Sequence, residues 1–339
     1  MFESIKESFH DRSKEDGIMQ NDTEQNKRDT KELLLLVNPK AGRAEVKHNL
    51  MDIVDVLVKA GWRVVIRTTQ YSGEVTDLIK AEGSRYTMVV CAGGDGTLNE
   101  AVRGLIELDA QPVLGYIPAG TTNDFATSLH LPKNNLLQAA EIVANGMPFC
   151  CDAGLFNLRP FVYVAAFGIF TEVSYSTPQQ SKNALGHAAY ILEGIKSLAD
   201  VKTHELVIAT DGEVISGEFV FGMVSNSISV GGFKMNSKSK IEMNDGLLEV
   251  VLVRKPRNPA ELQGAIAALL RNEFTALNDH GATCLYAFRT QKLQVFSREA
   301  VPWTLDGEYG GDLQNVTISV KPQAYSIMVE DIREDVVEA

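Results

Sequence analysis

Several features are absent from this sequence of 339 residues. It has no run of 18 or more apolar residues, so it predicts no transmembrane helix, and its N-terminus lacks the apolar stretch of a signal peptide. Cysteine is scarce, with four residues that show neither metal-ligand spacing nor a pairing pattern. Two of the four, Cys150 and Cys151, are adjacent and would form a strained bridge. Reduced thiols in a cytoplasmic protein are the simplest interpretation.

Basic residues are also fewer than acidic residues. The chain has 32 Lys and Arg residues against 44 Asp and Glu residues, a formal net charge of −12. This balance argues against a nucleic-acid partner, although the net charge of the whole chain does not exclude a local basic patch. The length allows two domains with buried cores, and a hydrophobic content of 45% suits a globular protein.

The most informative stretch joins a strand, a glycine turn and a helix. An apolar β-branched run at 88–90 predicts a buried strand that ends in Gly93-Gly94-Asp95-Gly96. Apolar residues then recur at helical spacing, at Leu98, Ala101, Val102 and Leu105. Thr97 is a plausible N-cap, with Glu100 as its capping-box partner.

Glycines at a helix start allow close backbone approach to an anion, so this stretch predicts a nucleotide phosphate site. The alternative is an ordinary tight turn, although such a turn needs only one or two glycines. The motif is not a P-loop, because Gly96 is followed by Thr97 and Leu98. It also lacks the Rossmann spacing, since Asn99 stands where the third glycine should be.

Two further polar loops follow strands in the first half. Strands are predicted at 33–37, 62–69, 88–90 and 113–117, with helices at 46–58 and 75–81 between them. This alternation predicts a parallel sheet with helices on both faces, in which ligands bind beyond the carboxyl ends of the strands. The loops at 38–42, 93–97 and 120–124 should therefore line one crevice. Asp124 could instead form a plain Asx turn or helix cap.

The second half is rich in β-structure. Helices are predicted at 181–198 and 260–272. Strands are predicted at 205–210, 214–216, 218–225, 247–253, 292–297 and 315–320. Many short strands separated by Asp-Gly turns favour an antiparallel sandwich.

The three loops together resemble a known family. Gly-Gly-Asp-Gly-Thr followed by Leu-Asn-Glu resembles the catalytic motif of the diacylglycerol kinase and sphingosine kinase superfamily, whose core the NAD kinases share. Residues 38–42 resemble its Asn-Pro-x-x-Gly loop, and 118–124 its Pro-x-Gly-Thr-x-Asn-Asp loop. The stretches at 172–178 and 186–190 look most like the soluble bacterial diacylglycerol kinases. The resemblance covers about residues 32–330.

The resemblance implies ATP as the bound nucleotide. The residues it assigns to the nucleotide site are Asn38, Pro39, Lys40, Ala41, Gly42, Thr69, Gly94, Asp95, Gly96, Thr97, Leu98, Asn99, Glu100, Thr121, Asn123 and Asp124.

An acidic cluster in the second half, Leu305-Asp306-Gly307-Glu308-Tyr309-Gly310-Gly311, has two interpretations. Asp-Gly is a turn dipeptide, so a hairpin is the simpler one. The cluster also resembles the family's Asp-Gly-Glu motif, which implies that Glu308 accepts the proton of the substrate hydroxyl with Asp306 as its electrostatic partner. The two roles could be exchanged, because residues two apart on one strand face the same side.

A second acidic turn precedes the strand at 247–253. The resemblance implies a structural Mg²⁺ there, bound by Glu242, Asp245 and the Leu247 carbonyl, and hard cations do prefer oxygen ligands. Leu247 stands where the family often has a tyrosine, which a main-chain ligand would tolerate. Asp152 resembles a family aspartate that joins the acidic network.

The expected fold is an N-terminal α/β domain with a parallel sheet, similar to NAD kinases, followed by an antiparallel β-sandwich domain. We expect a flexible extension at 1–31, an ATP-binding kinase domain at 32–150 that also takes about 321–332, and a β-rich lipid-kinase domain at 151–320. The return of the last segment to the first domain is implied by the resemblance.

The resemblance further implies an ATP- and Mg²⁺-dependent lipid kinase that converts diacylglycerol to phosphatidic acid. The alternatives are another lipid alcohol such as undecaprenol or a sphingoid base, NAD, or a catalytically silent nucleotide-binding regulator. A silent relative would have no chemical need for Asp95, Asp124, Asp306 and Glu308 together.

A lipid substrate without a membrane span implies reversible docking at the inner face of the membrane by a cytoplasmic protein. Two basic stretches are candidates, Lys234, Lys238 and Lys240 and then Arg254, Lys255 and Arg257, although both could be solvated surface residues. A homodimer is expected from the family.

Overall fold

The computed structural model joins an N-terminal α/β unit to a C-terminal β-rich unit. It describes residues 31–41, 45–121, 123–133, 135–169, 202–226, 229–230, 233–234, 243–258, 260–261, 263–265 and 284–330. The predicted helix at 181–198, most of the one at 260–272, the stretches at 172–178 and 186–190, and the predicted extension apart from Lys31 lie outside these ranges.

The N-terminal unit is a four-stranded parallel sheet in the order β2-β1-β3-β4. Its strands are β1 Glu32–Val37, β2 Arg63–Thr68, β3 Met88–Gly93 and β4 Val113–Pro118. Its helices are α1 Glu45–Lys59, α2 Glu74–Glu82, α3 Asp95–Ile106, α4 Asp124–Ser128 and α5 Leu136–Asn145, with a 3₁₀ turn at Gly83–Arg85.

The apolar faces of the helices cover both sides of this sheet. Leu98, Ala101, Val102 and Leu105 of α3 pack with Ile79 of α2 on one side. The apolar residues of α1 and α5 pack on the other side. Strands buried on both faces explain the continuous apolar runs of β1 and β3. The structure therefore confirms the predicted parallel sheet with helices on both faces.

The C-terminal unit is antiparallel. Its strands are β5 Met147–Phe156, β6 Arg159–Phe161, β7 Val164–Gly168, β8 His204–Thr210, β9 Val214–Ser225, β10 Ser229–Val230, β11 Phe233–Lys234, β12 Leu248–Arg254, β13 Leu285–Thr290, β14 Lys292–Leu305 and β15 Glu308–Val329. Trp303 lies at the centre of its core, between Phe156 and Phe167.

Three strands are longer than the sequence predicted. The separate strands expected at 214–216 and 218–225 are one strand, β9, because its ladder with β8 continues through Gly217. The strands expected at 292–297 and 315–320 are parts of the long hairpin β14–β15, which continues past a bulge after Phe296. Short apolar runs mark only the segments whose side chains are regularly buried.

One strand joins the two units. The first part of β15 pairs with β14, while Ile327 near its end pairs in parallel with Leu114 of β4. The β5 strand runs antiparallel along β15, and its ladder continues across residue 150, where the sequence-based domain boundary was drawn. Thirteen of the strands in the described ranges consequently form one hydrogen-bonded network, while β10 and β11 pair separately with each other. The domain boundaries themselves stay a prediction.

Candidate active site

Three loops meet at the carboxyl edge of the parallel sheet. The Asn38 backbone N–H bonds the Ala92 carbonyl at 3.0 Å, and the Ala119 N–H bonds the Gly93 carbonyl at 2.8 Å. The Asn38 side-chain amide also donates to Thr97 Oγ at 3.2 Å. Parallel strands that end at the same level bring their following loops together, so the structure confirms that the three loops meet at one edge.

The second and third loops touch through their backbones at two glycines. A Cβ atom at Gly120 would lie 2.5 Å from the Cα of Gly94 and 2.6 Å from Asn123 Oδ1. The Asn123 side chain holds this approach, since it accepts from the Gly120 N–H and donates to the Gly120 carbonyl, both at 2.9 Å. Its own backbone has a positive φ of 49°. No larger residue fits at Gly120 without moving one of these two loops.

The start of α3 differs from the expected capping box. The helix begins at Asp95 with Gly94 as its N-cap, so the prediction of Thr97 as N-cap is wrong. The Glu100 carboxylate instead accepts from Gly73 N–H at 2.7 Å and Val75 N–H at 3.3 Å. Glu100 therefore caps α2, because packing of α2 against α3 brings those orphan N–H groups within its reach.

Asp95 is oriented toward the third loop. Its carboxylate accepts from the Asp124 N–H at 3.2 Å and the Phe125 N–H at 3.4 Å, at the first turn of α4. Burial, followed by the neighbouring Asp124 charge, raises the pKa of Asp95 to about 6. A carboxyl group with this pKa changes charge close to neutral pH.

The other residues of the sequence-based nucleotide set lie around these loops. Thr69 follows β2, and its N–H bonds the Val37 carbonyl at 2.9 Å. The Leu98 side chain is buried in the core, so only its backbone can face a ligand. Gly96, Thr121 and Lys40 are exposed, Pro39 is partly buried and Ala41 is buried, while Gly42 lies outside the described residues.

The acidic hairpin of the C-terminal unit meets the glycine-motif helix. Asp306 and Gly307 form a two-residue turn with φ values of 51° and 83°, and Leu305 pairs with Glu308 across it. The Asn99 amide, on α3, donates to the Asp306 carboxylate. This contact joins residues 207 positions apart in the chain and brings the two predicted halves of the site together.

Asp306 and Glu308 occupy different environments, so the expectation that they share one strand face is wrong. The Asp306 carboxylate is buried and accepts three backbone N–H groups, from Val162, Tyr163 and Val164, at 2.8–3.0 Å. Burial raises the pKa of Asp306, and these hydrogen bonds oppose the shift. Glu308 begins β15 and its side chain is exposed. The turn separates them because Asp306 adopts the left-handed backbone conformation.

Asp152 is fully buried and connects four segments. Its carboxylate accepts from Gly246 N–H at 2.7 Å and Gln323 N–H at 2.8 Å. Its backbone carbonyl accepts from the Asn226 amide, and its N–H donates to the Met243 carbonyl. Its partners are therefore backbone groups and an amide; the structure gives it no contact with another carboxylate among the residues described.

The proposed Mg²⁺ ligands are only partly described. Asp245 accepts from the Leu247 N–H at 3.0 Å and forms an ion pair with Arg289, while Glu242 lies outside the described residues. Within the described ranges no cluster of three His, Cys, Asp or Glu side chains could hold a metal. The Arg289 guanidinium also contacts the Asp245 carboxylate, and the assignment of Glu242, Asp245 and the Leu247 carbonyl to Mg²⁺ stays a prediction.

The sequence did not indicate two arginines that lie where α3 meets the acidic hairpin. Arg103 lies on α3 one turn after Asn99, and Arg159 begins β6, which contacts α3. Burial, then the Arg159 charge, lowers the pKa of Arg103, whereas Asp306, Glu308 and Glu100 oppose this. The i, i+4 spacing from Asn99 was a usable signal, but it needed the knowledge that this helix face meets the acidic hairpin.

The docking candidates differ in how much of them is described. Arg254 donates to the Ser216 carbonyl at 2.6 Å and lies over Phe219 and Tyr286, and Lys255 pairs with Glu218. Lys238 and Lys240 are outside the described residues. Within the described ranges, no helix has both the length and the apolar composition needed to cross a bilayer.

Comparisons with known proteins agree with this arrangement. A model of the diacylglycerol kinase catalytic domain matches residues 32–154, and a model of the YegS C-terminal NAD kinase beta sandwich-like domain matches residues 164–329. The first covers the glycine-rich loops, and the second covers the acidic hairpin. Asn99 therefore lies in the part of the chain matched by the first family model, and Asp306 lies in the part matched by the second.

Relatives and a solved structure cover nearly the whole chain. The chain is 34% identical to the diacylglycerol kinase of Bacillus subtilis (strain 168) over 298 residues, which is 88% of this chain and 96% of the relative. It is 32% identical to that of Staphylococcus saprophyticus over 307 residues, 90% of this chain and 98% of the relative. A crystal structure from Bacillus anthracis (strain Sterne), assigned to the diacylglycerol kinases, superposes with a TM-score of 0.75 at 26% identity and covers 88% of this chain and 97% of its own. Because the match extends from the first glycine-rich loop to the acidic hairpin, the chain belongs to the diacylglycerol kinase family and is a kinase.

Proposed function

We propose that the protein transfers the γ-phosphate of ATP to the free hydroxyl of diacylglycerol, which yields phosphatidic acid. The observation that carries this proposal is the contact between Asn99 of the glycine-motif helix and Asp306 of the acidic hairpin. It brings an acidic group to the site where the glycine-rich loops would hold the phosphates. The names of the relatives support diacylglycerol as the acceptor.

The loops provide the groups that would bind the nucleotide. Gly94 and Gly120 pack closely and are only partly buried, so their backbones can approach a ligand without side chains in between, and the helix start at Asp95 adds a positive dipole end. We assign the phosphates to Gly94, Gly96 and Thr121 together with Asn38 and Lys40. Magnesium bound with ATP would neutralise part of the phosphate charge during transfer.

Glu308 is the base that the geometry favours. A carboxylate has about four lone-pair positions, and in Asp306 three backbone N–H groups and the Asn99 amide use them. Glu308 is exposed and accepts no hydrogen bond to its carboxylate among the described residues. It can therefore align the acceptor hydroxyl and take its proton while the hydroxyl oxygen attacks the γ-phosphorus. Asp306 fixes the turn that presents Glu308.

The decisive experiment measures transfer of labelled phosphate from ATP·Mg²⁺ to diacylglycerol in mixed micelles. Glu308→Gln should lower kcat by about 10²–10⁴-fold, the usual contribution of a general base. Asp306→Asn should lose stability along with activity, because three backbone N–H groups would then share one acceptor oxygen. Arg298→Gln, an exposed substitution on β14, is the control.

The outcomes separate the alternatives. Equal activity in Glu308→Gln and wild type would reject Glu308 as the base and transfer that role to Asp306. Absence of labelled phosphatidic acid from the wild type would reject diacylglycerol, and undecaprenol, a sphingoid base and NAD would then be tested in that order. The NAD arm is included because the matched C-terminal model is described as NAD kinase-like.

Contact with the membrane surface belongs to the same proposal. The chain must reach an acceptor that resides in a bilayer. Sedimentation with anionic vesicles should fall when the two basic stretches are reversed in charge, at a cost of about 1 kcal/mol for each charge near the surface. Unchanged sedimentation after reversal of both basic stretches would remove this docking surface. A homodimer remains an expectation of the family that sedimentation velocity would test.

A further inference from the structure

Arg103 and Arg159 form a pair of like charges beside the acidic hairpin. Arg103 lies on the α3 face that carries Asn99, and a helix side chain leans toward the helix N-terminus. The Arg103 guanidinium therefore extends back toward the turn that contacts Asp306. Arg159 approaches from β6 and lowers the pKa of Arg103 by direct repulsion.

Three carboxylates act on Arg103, and two of them are occupied by other donors. The Asp306 carboxylate is saturated by its backbone and amide donors. Glu100 is committed to Ser72, Gly73 and Val75 at the start of α2. Glu308 is exposed, and no ion pair joins it to either arginine in the described part of the chain.

Arg103 also has donors without acceptors. Its Nε and Nη2 atoms are buried and find no hydrogen-bond partner among the described residues. The unused donors of the Arg103 guanidinium, which also feels the positive charge of Arg159, cost free energy unless an acceptor reaches them. The planar fork of arginine matches the oxygens of a phosphate group, which can accept two parallel hydrogen bonds.

We propose that Arg103 and Arg159 form a subsite for the phosphate monoester of a phosphorylated lipid, next to Glu308. This inference rests on the proposed function, since it places the product phosphate beside the base. The main chain at Arg103 follows that at Asp95 by eight residues, about 12 Å along the helix axis, and the side chain extends back toward Asn99, so the subsite lies between the glycine-rich loops and the acceptor, next to the acidic hairpin. It would hold the phosphate after transfer and thereby govern product release.

The test measures binding without ATP, by isothermal titration calorimetry with three probes: dihexanoyl phosphatidic acid, inorganic phosphate and uncharged dihexanoylglycerol. We expect the phosphatidic acid to bind the wild type, and Arg103→Gln and Arg159→Gln each to weaken that binding about tenfold or more. Arg103→Lys should recover part of the loss, because it keeps the charge but not the fork. Arg85→Gln, exposed on the 3₁₀ turn, is the matched control.

A kinetic readout separates this role from a structural one. The inhibition constant of the phosphatidic acid should rise in both variants while the KM for ATP stays within about twofold. Unchanged inhibition in both variants would overturn the subsite. Binding of inorganic phosphate without binding of the phosphatidic acid would overturn its assignment to a lipid. Because the titration needs no turnover, a wild type that binds the phosphatidic acid through these arginines but does not phosphorylate diacylglycerol would reject only the proposed function.

Discussion

The Asp95 carboxyl group has an altered acidity because it is buried beside Asp124 and caps a helix of the neighbouring loop. Its pKa rises from an ordinary value of 3.8 to about 6 in the folded state. The folded protein therefore holds this proton more tightly than the unfolded chain does. The stabilisation is fully present below pH 3.8 and is lost as the pH rises through about 6.

We expect Asp95→Asn to remove this part of the pH dependence. Two pKa units correspond to about 3 kcal/mol, so the unfolding free energy of the wild type should fall by about that amount, relative to the variant, between pH 4 and pH 8. Urea unfolding at pH 4 and at pH 8 measures this change in the unfolding free energy. Asp52→Asn, on the exposed face of α1, is the control. Parallel pH profiles for wild type and Asp95→Asn would contradict the assignment.

At the scale of elements, Glu100 shows how one helix stabilises another. Its carboxylate is the acceptor for the first N–H groups of α2, which begins at the glycine N-cap Gly73 and has no side-chain cap of its own. Glu100→Ala should lower the unfolding free energy by about 1–2 kcal/mol, the usual cost of a lost cap. Chemical denaturation measures it, with Glu141→Ala on the exposed face of α5 as control. Equal losses in the two variants would show that Glu100 acts only as a general surface charge.

The contact between the second and third loops depends on the absence of side chains. Gly120→Ala would place a Cβ atom 2.5 Å from Gly94, and we expect a loss of about 1–3 kcal/mol in unfolding free energy together with a higher KM for ATP.

Gly96→Ala is the matched comparison for this prediction. A Cβ atom at Gly96 meets nothing within 4 Å, and the position is helical. We expect this variant to be as stable as the wild type or more stable by up to about 1 kcal/mol. Equal destabilisation of the two variants would argue against close contact of the loops.

At the scale of the whole molecule, Asp152 and β15 connect the two units. Asp152→Ala would leave the Gly246 and Gln323 N–H groups without their acceptor, at a cost of about 2–4 kcal/mol. Since Gln323 lies where β15 passes from β14 toward β4, we expect the stability of both units to fall together. Asp152→Asn should lose less, because its amide oxygen keeps one acceptor.

The two tryptophans allow the stability of each unit to be measured separately. Trp62 packs in the N-terminal core and Trp303 in the C-terminal core. Trp303→Phe leaves fluorescence from the first unit, and Trp62→Phe leaves fluorescence from the second. We expect Asp152→Ala to shift both urea midpoints in the same direction. A shift confined to one reporter would mean that the units unfold independently.

The sequence alone determined the order of the four strands and the first three helices of the N-terminal unit, since apolar periodicity and glycine or proline punctuation are local signals, but it missed α4 and α5. It also placed the three loops at one edge, because parallel strands leave no other arrangement for their carboxyl ends. The Asp306-Gly307 turn was likewise visible as a dipeptide.

Only the tertiary structure decided which groups the polar side chains of the site contact. Glu100 caps a helix that precedes it in the chain, Asp306 contacts Asn99 across 207 positions, and Asp152 binds backbone groups of distant segments. The long β14–β15 hairpin and the Arg103–Arg159 pair were missed for the same reason. Periodicity reports whether a residue is buried, but the partner of a buried polar group depends on which elements pack together, and long-range strand pairing sets that packing.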